Sequence, residues 1–127
     1  MLMIPRGADA VRGSSRPGIF TEVELDRYRI AWSEPGAITA MINWYRAAIR
    51  NRPSPPPDPR IHVPTMVIWG EKDSFLNQGG AKASLEQCGR GRLEVLEEAT
   101  DWVHHEEPER VNRLLIGFLR SEIEPSR

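Results

Sequence analysis

Val63-Pro64-Thr65-Met66-Val67-Ile68-Trp69-Gly70-Glu71-Lys72-Asp73 is the stretch on which the fold class of this chain turns. Residues 65–69 form a nearly continuous apolar run, opened by a proline and closed by a glycine. Such a run, with no polar alternation, reads as a strand covered on both faces, as strands of parallel sheets are. Charge follows at once in Glu71, Lys72 and Asp73, just past the carboxyl end of the strand, where α/β sheets place their ligands.

Toward the carboxyl terminus, residues 79–87 have helical character with Gly89 near their end, and Leu93-Glu94-Val95-Leu96 reads as a second short strand. Strand, helix and strand make one β-α-β unit of a parallel sheet. A last helix is predicted from residue 107 or 108 to 122. Pro108 is acceptable in its first turn, and Val111, Leu114, Leu115, Phe118 and Leu119 form an apolar stripe that should pack on the sheet. With two readable strands, the edge of 65–69 invites pairing with another chain, so a homo-oligomer is one expectation.

Toward the amino terminus, Arg52-Pro53-Ser54-Pro55-Pro56-Pro57-Asp58-Pro59 removes backbone donors in series and favours polyproline-type extension, which makes 53–60 a linker. Ahead of it two helices are predicted. Thr21 and Glu24 form a capping box, with Phe20 and Leu25 placed for a hydrophobic staple. Val23, Leu25, Tyr28 and Trp32 keep helical spacing until the Ser33-Glu34-Pro35-Gly36 turn, and a second helix runs over 37–51. Residues 1–18 have no sustained periodicity and read as loop or disorder.

The 127 residues contain 17 basic and 18 acidic side chains, well mixed, for a formal net charge of -1. No field of one sign steers nucleic acid or an anionic membrane toward such a surface. No apolar stretch approaches the roughly 20 residues of a membrane span, and the single cysteine, Cys88, forms no intrachain disulfide. Cytosol is therefore the expected compartment. His104 and His105 are neighbours that point apart on a helix, with no third ligand at a useful spacing, so no metal is expected.

The segment around Gly70-Glu71-Lys72-Asp73 resembles the late strand and acid turn of α/β hydrolases. The longer run Gly91-Arg92-Leu93-Glu94-Val95-Leu96-Glu97-Glu98-Ala99-Thr100-Asp101-Trp102-Val103-His104-His105-Glu106-Glu107-Pro108-Glu109-Arg110-Val111-Asn112 is similar to the last strand, histidine loop and closing helix of epoxide hydrolases and haloacetate dehalogenases. Asn43-Trp44-Tyr45-Arg46 resembles a helix of the epoxide-hydrolase cap. The implied fold is α/β: the last parallel strands and helices of an α/β-hydrolase sheet at 61–127, with a helical cap segment at 19–52. The resemblance implies no cofactor.

By this resemblance Asp73 matches the triad acid, which orients the catalytic histidine and stabilises its imidazolium. Read from its own surroundings, Asp73 is a turn aspartate capping the next helix. Asp101 occupies the position of the family's catalytic histidine. A carboxylate there has an unperturbed pKa near 3.9, well below that of imidazole, and when ionised offers Asp73 no N–H. His104 lies three residues on and is a possible substitute base; both histidines also read as solvent-facing groups beside Glu106 or Glu107. Tyr45 matches the cap tyrosine that donates its phenolic proton to the opening epoxide, and reads equally as a core aromatic.

The family also uses a His-Gly-x-Pro oxyanion segment and a Gly-x-Asp-x-Gly nucleophile elbow, and neither stands in this sequence. The expectation is an epoxide-hydrolase-like chain, or a dehalogenase-type one, that is inactive alone. Its substrate would be a small epoxide or organohalide when an N-terminal half complements it. The alternative is a non-catalytic oligomerising or complementing domain.

Overall fold

The computed structural model describes residues 4–51, 54 and 56–123. By internal contacts they fall into two units: the described residues of Met1–Gly13 and Pro17–Asp58, and Ser14–Arg16 with the described residues of Pro59–Arg127.

The first unit is helical. Its first element, α1 (Ile4–Ser14), corrects the expectation of a loop over 1–18. Ala8 and Val11, three residues apart on one face, are buried, so packing rather than propensity supports this helix. Gly7 makes the approach possible: a Cβ there would stand 2.8 Å from the Trp32 ring. The second helix, α2 (Glu22–Ser33), opens on the predicted capping box. Glu24 N–H donates to Thr21 Oγ1, and Thr21 N–H donates to Glu24 Oε2 at 2.8 Å. Phe20 and Leu25 are both buried, and Tyr28 meets Phe20 edge-on at 6.0 Å and Trp32 at 5.3 Å between centroids. Full burial of Leu25 contributes about 2 kcal/mol. The third helix, α3 (Ala37–Arg50), has no buried residue, and Trp44, Tyr45 and Ile49 are 73%, 67% and 70% exposed.

The second unit is the β-α-β element with its closing helices. Strand β1 (Thr65–Gly70) pairs in parallel with β2 (Gly91–Leu96), in register from Thr65 with Gly91 to Gly70 with Leu96. Helix α4 (Gln78–Glu86) makes the crossover, with Asn77 accepting from Gly79 N–H as its cap. The short α5 (Val103–Glu106) and then α6 (Pro108–Ile123) follow. Leu96, Ala99 and Val111 form the buried cluster, with Ile68 and Val103 packed against it.

Two packing expectations need correcting. Residues 65–69 are only half-buried, because the described sheet has two strands and one edge of each is left without a neighbouring strand. The α6 stripe is buried only at Val111; Leu115 and Leu119 are 42% and 57% exposed, because the core cluster reaches only the start of the helix.

Candidate functional site

The turn after β1 and the loop after β2 are joined through backbone. Glu71 N–H donates to Leu96 O at 3.0 Å, Lys72 N–H to Ala99 O at 2.9 Å and Asp73 N–H to Gly70 O at 3.2 Å. Gly70 is what allows this: a Cβ on it would stand 1.9 Å from Thr100 O and 2.6 Å from Ala99 O. Only a residue without a side chain lets the two segments lie against each other. An exposed Lys72–Glu98 ion pair closes the rim, and its hydrogen bond holds the Glu98 carboxyl below the ordinary range.

Asp73 is half-buried and organises its own turn. Its Oδ1 accepts from Phe75 N–H at 2.8 Å and Leu76 N–H at 2.9 Å. That is the capping geometry of a turn aspartate. The turn stands just past the carboxyl end of a parallel strand.

Asp101 stands on the adjoining loop. Burial pushes its carboxyl above the ordinary range, and the negative charges of Asp73 and Glu106 push the same way, against its own amide and the Thr100 hydroxyl. Its Oδ1 is buried without a hydrogen-bond partner among the described residues. Two carboxylates placed this way favour holding a proton over giving one up.

Glu106 is a site residue that the sequence reading missed. It is the one buried charged residue among those described. Its carboxylate accepts from Thr100 N–H at 2.7 Å, Thr100 Oγ1–H at 2.8 Å and Arg16 N–H at 2.7 Å. Burial alone would raise this carboxyl; the bonds from Arg16 and Thr100, with the Arg16 charge, together outweigh it and hold it low. The Arg16 guanidinium also reaches the Glu106 carbonyl and, at 3.0 Å, Glu107 Oε1. Ser14 Oγ accepts from Trp102 Nε1–H at 2.8 Å. The available signal was the acidic pair ahead of Pro108; which member turns inward depends on the phase of a four-residue helix.

His104 and His105 are both exposed, their rings 4.5 Å apart and each within 6.3 Å of Trp102. Burial, and the neighbouring His105, lower the His104 pKa. The His104 imidazole lies tilted at 42° beside Trp102 and makes no hydrogen bond to Asp73. Tyr45 lies in the first unit, on the exposed face of α3, with its ring edge-on to Trp44 at 5.6 Å. It is not a core aromatic. Among the described residues, no group of three or more His, Cys, Asp or Glu is arranged to hold a metal ion, and no helix is long and apolar enough to cross a membrane.

Comparison with known proteins concerns the family and the fold. The chain is 40% identical over 113 residues to the AB hydrolase superfamily protein YfhM of Bacillus subtilis, covering 89% of this chain and 39% of that protein. It is 30% identical over 119 residues to epoxide hydrolase 2 of Caenorhabditis elegans, covering 92% of this chain and 32% of that protein. The chain thus spans well under half the length of these relatives. Among solved structures, an epoxide hydrolase from Bacillus megaterium in complex with an inhibitor superposes with a TM-score of 0.70 at 23% identity, over 94% of this chain and 42% of that one. A serine hydrolase involved in carbazole degradation superposes with a TM-score of 0.77 at 18% identity, over 91% and 46%. No family model matches the chain.

Proposed function

We propose, from the premise that this chain corresponds to the carboxy-terminal portion of an epoxide-hydrolase-like α/β hydrolase, that it supplies the acid and the lid of an epoxide-opening site and does not turn over alone. In this reading Asp73 is the triad acid, position 101 is the slot of the base, and Tyr45 donates to the epoxide oxygen. The carrying observation is the contact at Gly70, by which the Asp73 turn and the Asp101 loop share backbone hydrogen bonds. An imidazole at position 101 would have a carboxylate for a neighbour, the acid–base relation of a triad.

The chemistry then divides. An aspartate on a complementing amino-terminal portion attacks the epoxide carbon, the carbon–oxygen bond of the ring breaks, and the phenol protonates the departing alkoxide. Hydrolysis of the resulting ester needs a base to take a proton from water. Asp101, already inclined to keep a proton, is a poor acceptor. An assembled site alkylates and stalls, whether the substrate is an epoxide or an organohalide. A cytosolic setting belongs to the same reading.

The test is co-expression with the amino-terminal portion of the Bacillus subtilis relative and incubation with an epoxide, followed by intact-protein mass spectrometry. The expected result is a covalent adduct that accumulates, with diol released only after Asp101→His. Steady diol release with Asp101 in place would overturn the reading.

A second reading, a non-catalytic oligomerising or complementing domain, is favoured by the exposure of Trp44, Tyr45 and Ile49 on α3. Trp32 packs against Tyr28, whereas Trp44, edge-on to Tyr45, is 73% exposed. Light scattering across a dilution series tests it; a folded monomer at all concentrations argues against it.

A further inference from the structure

Both neighbours of position 101 are tied down, and the ties converge on one buried group. Thr100 gives its amide and its hydroxyl to the Glu106 carboxylate. Trp102 gives its amide to Thr100 Oγ1 at 3.3 Å and its indole N–H to Ser14 Oγ at 2.8 Å. Arg16, two residues from Ser14, closes the ring by donating its own amide to the same Glu106 carboxylate.

We propose that Glu106 is a positioning residue for position 101: clasped between Thr100 and Arg16, it fixes the loop that holds the side chain of residue 101 toward Asp73. The inference rests on the reading of position 101 as the base slot, and it names the group that keeps the slot in place.

A purely stabilising role accounts poorly for this arrangement. Burying an ionised carboxylate costs several kcal/mol of solvation, and an apolar residue of similar volume often serves stability equally well. What a carboxylate adds is direction. Two oxygens accepting three donors leave little rotational freedom for the Thr100 peptide, and therefore for the Cα of residue 101. The Arg16 guanidinium, on the Glu106 carbonyl and Glu107 Oε1, holds the far side of the clasp.

Arg16→Ala gives a test in which two explanations predict opposite signs. If Arg16 acts only through charge, its removal leaves the Glu106 carboxylate less compensated and the Asp101 carboxyl titrates higher. If the clasp positions the loop, loss of the guanidinium that braces its far side loosens it even though the Arg16 amide remains, so that water reaches Asp101 and the carboxyl titrates lower, toward the ordinary range. The measurements are carbon-13 titration of the Asp101 carboxyl and exchange of the Trp102 indole proton, both on the full chain. Expected for Arg16→Ala, and for Glu106→Gln, are indole exchange at least tenfold faster and a lowered Asp101 midpoint, with the β1 and β2 amides still protected. Should Arg16→Ala fail to fold, Arg16→Lys, which keeps the charge and loses the planar fork, is expected to show the same changes more weakly. An unchanged or raised midpoint with unchanged indole exchange would overturn the proposal. None of these readouts requires turnover, so failure of the adduct experiment leaves this result standing, and the reverse.

Discussion

Gly70 and Thr100 stand so close that a single methyl group on Gly70 would lie 1.9 Å from the Thr100 carbonyl oxygen. No rotamer relieves that overlap, because the obstructing atoms are backbone. Gly70→Ala is therefore expected to cost about 3 kcal/mol or more, at the upper end of overpacking penalties. Urea unfolding checks this, and a variant as stable as the parent would contradict the close approach.

Glu106→Ala removes the acceptor for three donors and leaves Arg16 and Thr100 facing a hole. The expected destabilisation is roughly 3 kcal/mol, as for a buried pair that loses one partner. The loss should depend on pH with a definite sign. The folded Glu106 carboxyl lies below its ordinary 4.5, so its contribution is present above that value and is lost as pH falls through the folded pKa. Unfolding curves collected downward from pH 5 should steepen for the parent and flatten for Glu106→Gln.

Asp101 has the opposite sign. Its folded carboxyl lies above the ordinary 3.8, so the native state binds more protons and stability falls as pH rises through that window. Asp101→Asn, which cannot ionise, is expected to be more stable than the parent at pH 7 by up to about 1 kcal/mol, and not at pH 3. Thermal melts at the two pH values decide it.

Thr21→Ala deletes both halves of the reciprocal cap on α2 and is expected to cost about 1 kcal/mol. Thr21→Asp, which keeps an acceptor at the same place, should recover most of it. Circular dichroism melts of the three chains make the comparison.

Much of the fold could be read from local pattern. The strand over 65–69, the crossover helix, the second strand and the closing helix follow from runs and stripes a few residues long, and each is present. The capping box at Thr21 and Glu24 was equally local. The helix at Ile4–Ser14 was not, because its support is tertiary: Ala8 and Val11 are buried, and Gly7, a residue that disfavours isolated helices, is there to admit Trp32.

The same division holds for the site. Asp73 was flagged by its place just past a strand and by resemblance, Asp101 by resemblance alone, and the two stand on segments joined by backbone hydrogen bonds. Glu106 was hidden because its partners Arg16 and Thr100 lie 90 and 6 residues away, beyond any periodicity. Exposure of Tyr45 was also beyond sequence, since an aromatic at helical spacing looks the same whether or not a neighbour covers it.

The allocation of Ser14–Arg16 to the second unit has a topological consequence. The polypeptide passes between units three times, after Gly13, after Arg16 and after Asp58, so the proline run is not the sole string between two beads. A protease that severed the chain at Asp58 would leave Ser14 and Arg16, on the amino-terminal piece, still bonded to Trp102 and Glu106 through the Ser14 hydroxyl and the Arg16 amide. Nicked molecules should therefore travel as one species until the carboxylate is titrated or the fold is melted.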